Sequence, residues 1–195
     1  MPLTMTWQVS PVNLANRITL VRILLVPLFV VLLTTNIPYG EYLATFVFII
    51  AASTDRLDGY FARKRNEITE FGKFMDPLAD KLLITAALIC LVEKGKISSI
   101  ISIIIISREF IITGFRTIAV SKGVVLAASW WGKIKTISQI VAITVLILDN
   151  FPFRYIGIPF DQIALYISVI ITVISGVDYI IKNKNLFYSE NGKLK

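Results

Sequence analysis

The chain has no histidine and a single cysteine among its 195 residues. Without an imidazole there is no histidine general base, no proton shuttle near neutral pH and no nitrogen ligand of that kind for a metal. A structural zinc site, built from cysteine and histidine, is disfavoured for the same reason. Cys90 lies inside an apolar run. One cysteine cannot close an internal disulfide, so its expected role is that of a small core residue. Any metal would have to be held mainly by oxygen. Charge is also scarce. Asp, Glu, Lys and Arg together make up 17% of the residues and hydrophobic types 55%, whereas soluble domains carry about 25% charged residues. With a mean hydropathy of +0.73, the composition points to an integral membrane protein, and the length to one domain over residues 1–195.

No basic residue precedes Arg17 and no small-residue cleavage pattern follows the first apolar run. A signal peptide is therefore not expected, and the first apolar segment is expected to be kept as a span. The net charge is +7. In a membrane protein, cytoplasmic loops and anionic lipids or phosphate substrates explain such an excess better than nucleic acid does.

Six apolar stretches stand out, at residues 18–33, 42–53, 78–92, 97–115, 134–148 and 163–181. They predict an all-α, polytopic protein with six transmembrane helices. The second stretch is shorter than the ~20 residues that cross a bilayer, so its helix is expected to continue through the acidic segment that follows. Most Lys and Arg residues fall at Arg17, between Arg56 and Lys81, between Arg116 and Lys135, and after Lys182. The alternate connections are poor in them. Six spans with both ends in the cytoplasm fit this bias, with Lys94 and Lys96 as the dissonant pair. There is no internal repeat, low-complexity tract or long linker.

Between the second and third stretches runs STDRLDGYFARKRNEITEFGKFMDPLADK, with Asp55, Asp58, Asp76 and Asp80 at the membrane edge. The first two are three residues apart and the last two four apart, so each pair shares a helix face. The polar segment between them, ending in Gly72, suits a turn, and Pro77 suits the first turn of the next helix. A helical hairpin would then present two carboxylate pairs to one pocket. Four clustered carboxylates near lipid repel one another unless protonated or neutralised. Hard divalent cations neutralise them with oxygen ligands. Two ions about 4 Å apart would clamp a phosphoryl group during in-line displacement, and one carboxylate could take a proton from an attacking hydroxyl. Gly59, Ala62 and Gly72 would allow close approach of a helix or a flat ligand, and Arg63 could meet a phosphate or nucleotide. Glu67 and Glu70 read as solvated turn residues.

The same residues resemble the signature of the CDP-alcohol phosphotransferase family, D-x2-D-G-x2-A-R-x8-G-x3-D-x3-D. Here it is Asp55, Asp58-Gly59, Ala62-Arg63, Gly72, Asp76 and Asp80, eight fixed positions over 26 residues with every spacing matched. The resemblance implies a six-helix membrane fold, a homodimer, and transfer of a substituted phosphate from a CDP-linked donor to an alcohol with release of CMP. It implies that Asp55 and Asp76 bridge two Mg2+ or Mn2+ ions. Asp58 would complete one site, while Asp80 contacts the other and acts as general base. The CDP part would meet Gly59, Ala62, Arg63, Thr69 and Gly72, together with Asn16 and Thr19 of NLANRITLVRI, a segment that also carries Arg22. The segments SREFIITGFR (107–116) and WGKIKT (131–136) are similar to the bacterial phosphatidylglycerophosphate synthases of the family. That likeness implies CDP-diacylglycerol as donor and sn-glycerol 3-phosphate as acceptor; with the charge bias, which puts the acidic segment on the cytoplasmic side, the expected place is the bacterial plasma membrane with the site facing the cytoplasm.

The basic residues within apolar segments admit two readings. Arg108 could pair internally, with Glu109 or a motif aspartate, or bind a substrate phosphate. Arg116 lies two turns on, on a similar face. Lys133 and Lys135 could anchor the membrane interface, or join Arg108 and Arg116 in holding the acceptor phosphate, which four aspartates would otherwise repel. Trp130 and Trp131 read as interfacial anchors, and Asp178 as a capping or interfacial residue. Within the family the rivals are a cardiolipin-forming enzyme that uses phosphatidylglycerol as acceptor, and enzymes that use inositol phosphate or serine. Outside it, the rival is a divalent cation transporter whose sites would usually lie mid-bilayer.

Overall fold

The computed structural model describes residues 14–35, 37–65, 70–124 and 129–183, with side chains described at 19–35, 37–54, 78–79, 81–124 and 129–183. Within these residues the chain is all-helical. The helices are α1 (Leu14–Thr34), α2 (Gly40–Arg65), α3 (Glu70–Glu93), α4 (Ser99–Ser121), α5 (Trp130–Ile147) and α6 (Phe160–Lys182), with one 3-10 turn at Phe153–Ile156. Each helix carries one of the six apolar stretches, except that residues 97–98 precede α4 and Leu148 follows α5.

Local chemistry sets several of the boundaries. Ser98 and Ser129 cap α4 and α5, their hydroxyls accepting from Ile100 N at 3.3 Å and Gly132 N at 3.1 Å. Helices α3 and α4 both end in a left-handed glycine. After α3, Gly95 N donates to Val92 O and Lys96 N to Leu91 O, both at 2.9 Å. After α4, Gly123 N donates to Val120 O and Val124 N to Ala119 O, again at 2.9 Å. This paired closure needs a positive φ at the glycine, which a side chain would strain.

Helix α2 does run on through Asp55 and Asp58, as the short second stretch predicts. The expected turn is different. Helix α3 begins at Glu70, so Gly72 lies inside it and not ahead of it, and Pro77 lies about two turns in and not in its first turn. Proline deletes one backbone hydrogen bond and crowds one carbonyl. Helix-compatible residues on either side of it, among them Lys73, Met75, Leu78 and Ala79, carry the helix across that gap.

The helices alternate in direction. Helix α5 packs chiefly against α6, α1 against α2 and α3, and α4 against α6. One apolar cluster ties them together, including Phe29 and Leu33 of α1, Phe48 of α2, Leu83 and Leu91 of α3, Ile105 of α4, Leu146 of α5 and Leu165 of α6. Cys90 is buried in it, as expected.

The polar distribution is the reverse of a soluble protein's. Leu24, Phe46, Ile100, Ile103 and Val120 are largely exposed, whereas Thr45, Ser102, Lys135, Gln139, Ser168, Thr172 and Ser175 are buried. Soluble monomers rarely expose contiguous apolar surface on this scale. By length and composition, one helix among the described residues, Phe160–Lys182, is long and apolar enough to cross a membrane; Thr19–Thr34 and Gly40–Thr54 are shorter apolar stretches. The others interrupt their apolar runs with charge, at Arg108, Glu109 and Arg116 in α4 and at Lys133 and Lys135 in α5.

At one end of the bundle, where α1 meets α2, α3 meets α4 and α5 meets α6, the dissonant lysines are neutralised. Lys94 Nζ lies 2.6 Å from Glu41 Oε1, and Lys96 Nζ lies 3.2 Å from the same oxygen and 2.8 Å from Asp149 Oδ1. Lys96 also donates to Leu146 O and Ile147 O at 3.1 Å each, and Lys94 to Leu33 O at 3.3 Å. The two cations thus hold the carbonyl-rich C-terminal ends of α1 and α5.

Candidate functional site

The opposite end carries the chemistry. The four aspartates sit on two consecutive helices that touch each other, Asp55 and Asp58 on α2 and Asp76 and Asp80 on α3. Their side chains, and those of Asn16, Ala62, Arg63, Glu67 and Glu70, lie outside the described side chains, as do the surroundings of Gly59 and Gly72. Thr69 lies outside the described residues altogether. What the backbone provides is a helix pair carrying two acids one turn apart on each member. Among the described residues there is no group of three acidic or thiol side chains suited to a metal. Four aspartate carboxylates would offer a hard, all-oxygen donor set, of a kind that fits Mg2+ or Mn2+ and not a soft thiophilic ion. Thr19 is fully buried on α1 and Arg22, one turn further, is buried as well.

Beside α3, the ends of α4, α5 and α6 enclose a cavity of about 610 Å3. It is lined by five basic side chains, Lys81, Arg108, Arg116, Lys133 and Lys135. All four basic residues singled out in the sequence therefore converge on one space, although α4 and α5 contribute two each. Ser129, Thr113 and Thr136 add hydroxyl groups, and Glu109 is the one carboxylate among the described lining residues.

Four of these cations, Arg108, Arg116, Lys133 and Lys135, lie against specific neighbours. Arg108 Nη2 donates to Ser175 Oγ at 2.7 Å and Nη1 to Glu109 Oε1 at 3.0 Å. The buried Nε of Arg108 has no hydrogen-bond partner. Lys135 is buried on α5 and donates to Glu109 Oε1 at 2.5 Å. Arg116 Nε donates to Tyr179 Oη at 3.2 Å, with its guanidinium carbon 5.5 Å from the centre of that ring. Lys133 Nζ lies 5.9 Å from the ring centre of Trp130. The internal ion pair at Arg108 is thus real, and it lies in the wall of the cavity. Trp130 is largely exposed yet also lines the cavity. Asp178 pairs with Lys182 one turn on, at 2.9 Å.

Helix α6 supplies the part that sequence reading missed. Ser168, Thr172, Ser175, Gly176 and Tyr179 are buried along one face of it, at spacings of four, three, one and three residues. Thr172 Oγ1 accepts from Gln139 Nε2 of α5 at 3.0 Å. These small and polar residues let α4 and α5 approach closely and give their polar groups partners away from lipid. The signal was present as a period of small and polar residues within an isoleucine-rich helix. Chemically, the arrangement is a cluster of cations, with Lys135 buried, Arg108 partly buried and Arg116 and Lys133 exposed, whose forked guanidinium donors suit a phosphate dianion, next to a pair of acidic helices.

Comparison with known proteins agrees with this chemistry. The sequence profile of the family described as CDP-alcohol phosphatidyltransferase matches residues 12–174. A Bacillus subtilis protein named CDP-diacylglycerol–glycerol-3-phosphate 3-phosphatidyltransferase is 44% identical over 191 residues, covering 92% of this chain and 99% of that protein. Proteins of the same name from Haemophilus influenzae and Rickettsia bellii are 38% and 35% identical, covering 86% and 90% of this chain and 91% and 97% of their own lengths.

Proposed function

Because this chain belongs to the CDP-alcohol phosphatidyltransferase family, we propose that it transfers the phosphatidyl group of CDP-diacylglycerol to sn-glycerol 3-phosphate, giving phosphatidylglycerophosphate and CMP. The observation that carries this reading is the convergence of Arg108, Arg116, Lys133 and Lys135 on one cavity beside the acidic helix pair. An alcohol acceptor without a phosphate would need no such cluster. The names of the relatives point to the same acceptor.

In this reading the acceptor phosphate seats on the two arginines and two lysines. Asp80 takes the proton from the terminal hydroxyl of glycerol 3-phosphate. That oxygen attacks the phosphorus bearing the diacylglycerol, the bond from that phosphorus to the bridging oxygen breaks, and CMP leaves with the electron pair. Asp55, Asp58, Asp76 and Asp80 would hold two divalent ions, which when bound neutralise charge on the pyrophosphate. Asn16, Thr19, Gly59, Ala62, Arg63, Thr69 and Gly72 would receive the cytidine diphosphate part.

We also read the chain as one domain with six membrane passes, both ends and the active site facing the cytoplasm of a bacterial cell, and assembling as a homodimer. The outward apolar surface supports the bilayer. The shortest of the six helices has 18 residues, about 27 Å at 1.5 Å per residue, close to the ~30 Å hydrocarbon thickness. A lipid-bound donor and a water-soluble acceptor meet only at such an interface.

The test is CMP release by the purified protein in detergent, with CDP-diacylglycerol and, separately, glycerol 3-phosphate, phosphatidylglycerol, inositol phosphate and serine. Glycerol 3-phosphate is expected to support release and the others are not. A preference for phosphatidylglycerol would reassign the protein to cardiolipin formation.

A further inference from the structure

Glu109 is out of place in a cavity that otherwise gathers cations. A phosphate and a carboxylate compete for the same positive charges, so a site for phosphate alone gains no affinity from an acid in its wall. The geometry of this acid is one-sided. Oε1 accepts both from Lys135 Nζ and from Arg108 Nη1. Both of the hydrogen bonds that described residues give this carboxylate end on Oε1. The side chain is 17% exposed and lines the cavity. An ionised carboxylate accepts hydrogen bonds and donates none, so its second oxygen suits a ligand that brings a hydroxyl donor together with its phosphate.

We infer that Glu109 is a specificity-determining residue for the acceptor. Oε1 holds Lys135 and Arg108 in position for the phosphate, and Oε2 accepts a hydrogen bond from the secondary hydroxyl on the carbon next to the phosphate-bearing one. The inference rests on the glycerol 3-phosphate reading above. It makes the site select a vicinal hydroxy-phosphate over a phosphate monoester that lacks that hydroxyl. A polar pocket group left unpaired by the wrong ligand is a strong discriminator, and a hydrogen bond to a charged acceptor corresponds to roughly 10- to 100-fold in kcat/KM.

The full-length protein in detergent tests this with two acceptors, sn-glycerol 3-phosphate and propane-1,3-diol monophosphate. The second keeps the phosphate and the terminal hydroxyl at the same separation and lacks only the central hydroxyl. The wild type is expected to prefer glycerol 3-phosphate by about 10-fold or more. In Glu109→Ala the preference should fall to near unity, and in the nearly isosteric Glu109→Gln to an intermediate value, with the KM for CDP-diacylglycerol unchanged. The ratio is measured on one preparation, so loss of folded protein cancels. An unchanged ratio in both variants, even with lower activity, would reduce Glu109 to a counter-ion for its two cations and overturn the inference. So would a wild type that does not discriminate. A wild type that releases no CMP with glycerol 3-phosphate defeats the acceptor reading itself and this inference with it.

Discussion

Gly176 of α6 lies so close to Arg108 of α4 that a Cβ at position 176 would stand 3.1 Å from Arg108 Cγ. The absent side chain lets the arginine stem lie flat on α6, and the adjacent Ser175 takes its guanidinium at 2.7 Å. Alanine at 176 asks the flexible arginine to move by a few tenths of an ångström. Leucine cannot be accommodated without displacing it from Ser175. Gly176→Leu is therefore expected to raise the KM for glycerol 3-phosphate several-fold and Gly176→Ala less, with the KM for CDP-diacylglycerol unchanged in both. Steady-state kinetics with each substrate varied in turn checks this; equal rises for donor and acceptor would mean that the helices, and not Arg108, had moved.

Tyr179 positions Arg116 in two ways, by its hydroxyl at 3.2 Å and by its ring face. Tyr179→Phe keeps the ring and removes the hydroxyl, a loss of about 0.5–1.5 kcal/mol, or a few-fold in acceptor KM. Tyr179→Leu removes the cation–π contact as well and should weaken the acceptor further. The order wild type, Phe, Leu in acceptor KM is the expected outcome, and a Phe variant as impaired as Leu would assign the effect to the hydroxyl alone.

Lys96 works at the far end of the bundle, where it joins Glu41, Asp149 and two terminal carbonyls of α5. Lys96→Met strands these acceptors, and the expected loss is about 1–3 kcal/mol. Lys94, more exposed and tied mainly to Glu41, should matter less. Thermal unfolding in detergent is expected to show a lower Tm for Lys96→Met, with kcat per folded molecule unchanged because the cavity lies at the other end.

Much of this was legible in the sequence, for physical reasons that differ from residue to residue. The apolar runs marked all six helices because burial in an apolar phase is a local, additive demand on composition. The extension of α2 through Asp55 and Asp58 followed from a run too short to span. Lys133, Lys135, Arg108 and Arg116 were legible as candidates because charge inside an apolar run needs a reason. What brings them together was not. Arg108 meets Ser175 across 67 positions and Arg116 meets Tyr179 across 63, and a helix-face pattern on α6 says nothing about which helix it faces. Lys94 and Lys96 looked dissonant because a charge count ignores partners, and Glu41 and Asp149 are 53 residues or more away from them in sequence. Gly72 suggested a turn and Pro77 a helix start, because glycine weakens a helix and proline is tolerated in a first turn, but one proline removes only one backbone hydrogen bond and α3 runs through both. The choice of cytidine was readable only through the family signature.

The central claim is that this chain joins a phosphatidyl group to glycerol 3-phosphate, with Asp80 taking the proton. It is tested most directly by CMP release from purified wild type and Asp80→Asn, given CDP-diacylglycerol, glycerol 3-phosphate and Mg2+ or Mn2+. The wild type should release CMP only when the acceptor is present and form phosphatidylglycerophosphate in equal amount, and Asp80→Asn should be slower by about 100-fold or more. No acceptor-dependent CMP release from the wild type, or full activity in Asp80→Asn, would contradict it.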